Sequence, residues 1–237
     1  MITTYGILIH TIRYSESRNI LKIFTRSHGV KSFMVRINKK KPGVTKFQPM
    51  SILSLQFQAQ ENAGMLTPRS LELNSVPSTL NTDITKVAVL LFINEVVYKT
   101  LHDDYQNEAL FDFLQHSMQM LDAVEHCENF HLVFLVQLSS LYGFYPSHLS
   151  EGSYFDLMAG QFCDGTENHP YYIEPPQTEM FRKLIACNYE SLALLHFEHS
   201  TRKNLLHKLI DYFRIHLDGL KEIKSVKVLE SVFDEVR

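Results

Sequence analysis

The chain has 237 residues, is 45% apolar and 21% charged, and carries a formal net charge of −3. Its length allows one large domain or two small ones, and its apolar content excludes general disorder. The longest apolar run, Val87 to Ile93, is far shorter than the roughly 20 residues that cross a bilayer, so we expect no membrane interaction.

The first third of the chain alternates apolar and polar residues, a pattern typical of half-buried strands. Its start, Met1 to Tyr14, lacks the apolar core and the cleavage site of a signal peptide. Similar segments follow at 19–25, 30–37, 53–59 and 71–74, with turn residues between them. Five strands within about 76 residues predict a small closed β-barrel of the OB type.

Helical spacing begins after a segment rich in Pro, Ser and Asn at 77–81. The stretch from Asp83 to Leu101 is apolar on nearly all sides and predicts a central buried helix. Further helices are predicted at 110–121, 130–142, 178–187, 205–217 and 225–236, with an irregular lobe at about 143–176. The predicted fold is therefore α+β, with a five-stranded OB-type barrel at 1–80 followed by a mainly α-helical domain at 81–237.

The three cysteines, Cys127, Cys163 and Cys187, are an odd number and include no C-x-x-C pair. This usage fits a reducing compartment and gives no disulfide framework. We therefore predict a cytoplasmic location.

Charge is distributed unevenly along the chain. Residues 1–80 contain eleven Lys and Arg against three acidic residues, a net charge of +8, and the remainder carries −11. A basic part beside an acidic part suggests separate partners for the two. The acidic stretch 83–198 repels DNA, whereas the locally basic stretch 199–227 leaves open a second contact, with phosphate or with an acidic peptide.

A loop of lysines at 38–46 joins two predicted strands. Lysines beside a small barrel can follow a phosphate backbone, because neutralising phosphates releases counterions and needs no sequence readout. This reasoning predicts a nucleic-acid-binding set made of Arg18, Lys31, Arg36, Lys39, Lys40, Lys41 and Lys46.

Three aromatic residues, Tyr14, Phe33 and Phe47, lie among these basic residues. Phe33 shares a strand face with Val35 and Ile37, which favours a position in the core. Tyr14 is therefore the better candidate for stacking on a base.

Motifs for catalysis or nucleotide binding are missing from the sequence: it has no G-x-S-x-G, no P-loop and no G-x-G-x-x-G. It has twelve histidines but no H-E-x-x-H and no recognisable set of three or four ligands. The sequence therefore predicts no catalytic residues, no cofactor and no metal site.

Four short segments follow one another in a definite order and spacing. They are Gly6 to Ser17, then Ile23 to Thr25 with His28 to Phe33, then Gly143-Phe144-Tyr145-Pro146, and finally Leu220 to Ser225. Together they resemble the RecO family of bacterial DNA repair and recombination mediators. In that family they correspond to the opening strand, the second hairpin, a Gly-Phe-x-Pro segment and a Leu-Lys-Ser region.

The resemblance implies an N-terminal OB-fold and binding of single- and double-stranded DNA. It also implies annealing of complementary strands without ATP, and help in loading the recombinase on coated single strands. The implied protein partners are a RecR-like mediator and the acidic, apolar C-terminal tail of the single-stranded-DNA-binding protein.

Many relatives carry a four-cysteine zinc module after the Gly-Phe-x-Pro segment, but residues 147–176 contain only Cys163. We therefore expect no zinc, because the thiolate ligands are missing. The lobe is instead expected to be held by Tyr154, Phe155, Phe162, Tyr171 and Tyr172.

Two other functions remain open at this point. The chain could be a protein-interaction scaffold whose basic face binds an acidic partner rather than DNA, and an oligonucleotide mobility shift over a salt series would distinguish the two. The other alternative is a metal-dependent hydrolase, which His102-Asp103-Asp104 suggests and which metal analysis of the purified chain would test.

Overall fold

The computed structural model describes residues 1–36, 47–58, 64–75, 83–101, 106–147, 151–166 and 169–235. The chain forms two compact units, Met1–Ala123 and Val124–Arg237. The predicted division at about residue 80 lies outside the described residues and stays a prediction.

A five-stranded antiparallel sheet dominates the first unit, with the strand order β3-β2-β1-β4-β5. Its strands are β1 (Ile2–Ser15), β2 (Arg18–Thr25), β3 (Gly29–Arg36), β4 (Ile52–Phe57) and β5 (Ser70–Ser75). One face of this sheet, the core face, buries a cluster made of Leu8, Leu21, Ile23, Phe33, Val35, Leu53, Leu55, Phe57 and Leu66. The alternation in the sequence therefore predicted the strands, and it predicted the buried side of β3 and β4 correctly. In β5, by contrast, Leu73 on the predicted apolar side is 45% exposed.

The sheet is open along most of its length, in contrast to the closed barrel that the sequence predicts. Between β3 and the chain ahead of β5 there is one parallel bridge, which joins Phe33 to Leu66. Its hydrogen bonds run from Met34 N to Leu66 O at 2.8 Å and from Leu66 N to Ser32 O at 2.9 Å. β5 itself begins only at Ser70. Among the described residues, the pairing with β3 is therefore confined to this bridge. The α+β fold with an OB-type sheet is confirmed, and closure is limited to this bridge.

Two helices, α1 (Ile84–Thr100) and α2 (Glu108–Ala123), complete the first unit. The prediction of a buried helix is confirmed for α1, whose Val89, Phe92 and Ile93 are inaccessible to solvent. Asp83 caps α1 by accepting hydrogen bonds from Thr85 and from the backbone N–H of Lys86. These bonds, above all the one from the Thr85 hydroxyl, hold the pKa of Asp83 below its usual value.

The second unit contains four α-helices and a short 3-10 helix, Leu192–Leu194, among its described residues. The α-helices are α3 (Phe130–Leu141), α4 (Gln177–Ile185), α5 (His199–His216) and α6 (Ser225–Glu235). Each overlaps a predicted helix, and α5 begins six residues before Leu205, where the helical pattern of the sequence is strongest. In the part of the chain that the structure describes, no helix is long and apolar enough to span a bilayer.

The lobe between α3 and α4 is more regular than predicted, because it contains a three-stranded sheet of order β7-β6-β8. The strands are β6 (Tyr154–Asp156), β7 (Gln161–Cys163) and β8 (Tyr172–Ile173). Phe155, Phe162 and Tyr172 are buried there, and Phe155 contacts Phe181 of α4 at a ring distance of 4.7 Å. Tyr171, expected to help hold the lobe, is instead 43% exposed, because its neighbour Tyr172 takes the inward position of the strand.

Candidate nucleic-acid interface

The face of β1, β2 and β3 opposite the core face carries basic and apolar side chains in rows. The cross-strand pairs are His10 with Lys22, Lys22 with Ser32, Ile12 with Ile20, Ile20 with Met34, and Arg18 with Arg36. Residues directly opposite each other in antiparallel strands lie on the same side of the sheet. We call these eight side chains the outer ribbon face.

Arg18 and Arg36 form the exposed end of the outer ribbon face. Like charges directly opposite each other destabilise a strand pair. Arg18 Nη1 lies 3.6 Å from Met34 Sδ, and no described carboxylate forms an ion pair with either arginine. Both guanidinium groups can therefore bind an external anion such as a phosphate.

A third arginine of the same hairpin, Arg26, is neutralised within the chain. Its Nε and Nη2 each donate a hydrogen bond of 3.0 Å to the Asp112 carboxylate on α2, and Glu108 lies 3.7 Å away. The hydrogen bond to Asp112 raises the pKa of Arg26 above its usual value. Arg26 is therefore less suited to hold a phosphate than Arg18 or Arg36.

The remaining residues of the predicted DNA-binding set fall elsewhere. Lys31 pairs with Ile23 and shares its strand face with Phe33, so it belongs to the core face and is half-buried. Four predicted members lie outside the described residues: Lys39, Lys40, Lys41 and Lys46. Arg18 and Arg36 are thus the two members of the predicted DNA-binding set that the described structure places next to each other.

An aromatic stack at the other end of the outer ribbon face was not anticipated from the sequence. The rings of His10 and Tyr98 stack with their centroids 4.6 Å apart and their planes at 27°. Lys22 Nζ lies 5.9 Å from the centroid of the Tyr98 ring. Tyr98 comes from α1, 88 positions after His10 in the sequence, so no local pattern could connect them.

The three aromatic residues named from the sequence lie in different environments. Phe33 is fully buried and meets Phe57 edge to face at 5.2 Å, which confirms its core position. Phe47 also packs against the core cluster. Tyr14 is 59% exposed, and its role in stacking stays a prediction.

The second unit has an open groove of about 570 Å³, which we call the α3–α5 groove. Leu195, Phe197 and Arg202 line it, as do the acidic Glu128 and Glu198. At its floor Asn129 donates a hydrogen bond from Nδ2 to the carbonyl oxygen of Leu195 at 2.8 Å. The groove therefore combines apolar surface with charges of both signs.

The histidines of the second unit form separate contacts. His199 pairs with Asp234 at 2.9 Å, His207 with Glu230 at 2.8 Å, and His216 with the carbonyl oxygen of Leu157 at 2.9 Å. Within the described ranges, no three His, Cys, Asp or Glu side chains come together as a metal site. No disulfide joins Cys127, Cys163 or Cys187, all three of which lie within the described ranges.

Two family models match nearly the whole length of the chain. The model for the N-terminal part of recombination protein O matches residues 1–75, and the model for its C-terminal part matches residues 81–225. The chain belongs to the RecO family. The resemblance inferred from the four sequence segments is thereby confirmed.

Several curated RecO proteins are similar to this chain over almost their full length. The DNA repair protein RecO of Bacteroides fragilis is 31% identical over 238 residues, which cover 98% of each chain. That of Flavobacterium psychrophilum is 32% identical over 242 residues, covering 98% of this chain and 99% of its own. The names of these relatives and of the two family models support a role of the chain in DNA repair and recombination.

Proposed function

We propose that the chain binds single- and double-stranded DNA through the outer ribbon face and the lysine loop, and anneals complementary strands. In this role it helps to load the recombinase on coated single strands, and it has no catalytic activity of its own. The observation that carries the proposal is the exposed pair Arg18 and Arg36, which no described carboxylate neutralises. The +8 charge of residues 1–80 supports it.

Annealing requires two polyanionic strands to approach each other while their bases stay free to pair. A cationic surface that contacts phosphates lowers the repulsion between the strands and leaves the Watson–Crick edges unoccupied. No bond is made or broken, so neither a nucleophile nor ATP is needed. The arginines at the end of the outer ribbon face, together with the lysines of the 38–46 segment, are proposed to supply this neutralisation.

The salt dependence of binding tests this proposal. If about five phosphates of a single strand are neutralised, affinity should fall on the order of 10²-fold between about 50 and 200 mM salt. Replacing both Arg18 and Arg36 with Gln should weaken binding and flatten the slope of log K against log salt by about 1.4. Replacing Lys39, Lys40 and Lys41 together with Gln should flatten it further.

Fluorescence anisotropy with labelled oligonucleotides measures these slopes. The matched control is Lys183→Gln, which removes one exposed charge from α4 and should leave the slope unchanged. A strand-annealing assay with the single-stranded-DNA-binding protein, run on the same variants, connects binding to function. An unchanged slope in the arginine and lysine variants would contradict the proposal, and binding of an acidic protein in place of DNA would favour a scaffold.

We further infer that the acidic, apolar tail of the single-stranded-DNA-binding protein binds the α3–α5 groove. Arg202, whose guanidinium also lies 5.5 Å from the centroid of the Phe233 ring, supplies positive charge at the groove for a carboxylate of the tail, while Leu195 and Phe197 offer apolar surface to its end. Arg202→Gln should weaken binding of a labelled tail peptide, whereas Arg214→Gln, which removes an arginine paired with Asp211 on the same helix, should not. Equal effects of the two variants would argue against the groove.

A RecR-like mediator is the second protein partner that we propose. Its support is membership of the RecO family. Co-purification of the two proteins, with and without oligonucleotide, tests the partnership.

A further inference from the structure

A row of apolar side chains crosses the outer ribbon face between its arginines and Lys22. Ile12, Ile20 and Met34 lie side by side on three neighbouring strands, and Ile12 is 40% exposed. One strand period, about 7 Å, separates this row from the arginine pair at one end and from Lys22 at the other. Isolated exposed apolar residues are ordinary, but a row of three between cations suits a ligand that is both anionic and apolar.

The His10–Tyr98 stack adjoins this row. Its position beside Lys22 places an aromatic ring and a cation together. Tyr98 remains 36% exposed even though His10 stacks on its ring. Because His10 already fixes the ring, little side-chain entropy is lost when a ligand contacts it.

We propose that the apolar row and the His10–Tyr98 stack hold unpaired bases, so that the outer ribbon face prefers single-stranded to double-stranded DNA. This inference rests on the DNA binding proposed above. In a single strand the bases can stack on aromatic and apolar side chains while the backbone follows the cations. In a duplex the bases are stacked inside, and mainly phosphates reach such a face. Arg18 and Arg36 therefore serve both forms of DNA, and Tyr98 distinguishes between them.

The test compares binding of the full-length protein to a labelled oligothymidylate and to a blunt duplex of the same length. Tyr98→Ala should weaken oligothymidylate binding by about 5- to 100-fold, and duplex binding by less than about twofold. The salt slope should not change, because no phosphate contact is lost. Tyr98→Phe keeps the ring and should bind like the wild type.

Two further variants distinguish the loss of a contact with DNA from the loss of the folded structure. Tyr5→Ala removes an exposed tyrosine of β1 that lies beside Arg26, and it should leave both affinities unchanged. Ile12→Ala shortens an exposed side chain and should reduce oligothymidylate binding selectively, even if Tyr98→Ala proves unstable. The melting temperature of each variant reports whether it is folded.

The outcomes separate this inference from the proposed function. If the wild type binds DNA but Tyr98→Ala weakens both forms equally, or neither, the preference for unpaired bases is wrong while DNA binding stands. If the wild type binds no DNA at low salt and binds an acidic, apolar peptide at this face, both are wrong. Selective loss of oligothymidylate binding supports both.

Discussion

Arg18 and Arg36 lie directly opposite each other on β2 and β3, on the same side of the sheet. Two like charges in this position repel each other, so the pair does not contribute to the stability of the free protein. A phosphate bound between the guanidinium groups would remove that repulsion. The proposed DNA binding would account for this pair, and Lys31 provides the internal comparison.

Lys31 and Arg36 belong to the same strand but to opposite faces of it. Arg36→Gln should reduce the salt slope for single-stranded DNA by about 0.7, the contribution of one phosphate contact. Lys31→Gln also removes one positive charge, but the salt slope of this variant should stay close to that of the wild type. Anisotropy titrations over a salt series measure both slopes, and equal reductions would mean that total charge matters rather than position.

Gly6 lies where the core leaves no room for a side chain. A Cβ atom at this position would collide with the Ile23 side chain and lie 3.0 Å from Leu55. Gly6→Ala should therefore lower the free energy of unfolding by about 1–3 kcal/mol through overpacking. Urea unfolding followed by circular dichroism measures this loss. Gly64→Ala is the matched control, because a Cβ there meets nothing within 4 Å, and a loss as large in that variant would contradict the steric explanation.

His131 is buried in α3, and burial, assisted by the positive charge of Arg202, lowers its pKa from 6.5 to about 3. Between these two values the unfolded chain binds a proton at this site and the folded chain does not. The contribution of His131 to stability is therefore complete above pH 6.5 and is lost as the pH falls toward 3. Lowering the pH from 7 to 5 should cost about 2 kcal/mol through this residue.

His131→Leu should remove that part of the pH dependence. Urea unfolding at pH 7 and at pH 5 gives the difference for each protein, so any constant effect of the substitution on stability cancels. His126→Gln, at an exposed histidine, should keep the wild-type difference. If His131→Leu also keeps it, the protonation of His131 does not control acid stability.

The lobe formed by β6, β7 and β8 should be stable without a metal ion. Its interior is aromatic, with Phe155 in ring contact with Phe162 at 5.0 Å and Phe181 at 4.7 Å. Its turn is closed by Asp156, which accepts hydrogen bonds from Met158 N and Ala159 N. A strong chelator should therefore leave the melting temperature unchanged in differential scanning calorimetry, and a large downward shift would point to a bound metal.

Phe155→Ala is the corresponding positive test of the lobe. Removing a fully buried aromatic ring should cost about 3–5 kcal/mol. Tyr171→Ala, at an exposed ring of the same lobe, should cost little. If the two variants lose similar stability, the lobe does not depend on its aromatic interior and the prediction is wrong.

The sequence alone determined where most of the strands and helices lie and, for several of them, which residues are buried. Alternation identified the strands and placed Phe33 in the core, and the continuous apolar stretch identified α1 as a buried helix. Charge counting identified the basic first third of the chain. These features follow from local periodicity, because a residue's position within a strand or helix decides which side of that element it faces.

Only the tertiary structure decided which of these residues meet. The opposition of Arg18 and Arg36 depends on the register between β2 and β3, which the turn between them sets. The capture of Arg26 by Asp112 and the stacking of His10 on Tyr98 each join residues more than 80 positions apart. Such contacts depend on how helices pack on the sheet, and a pattern within a single element carries no information about its neighbour.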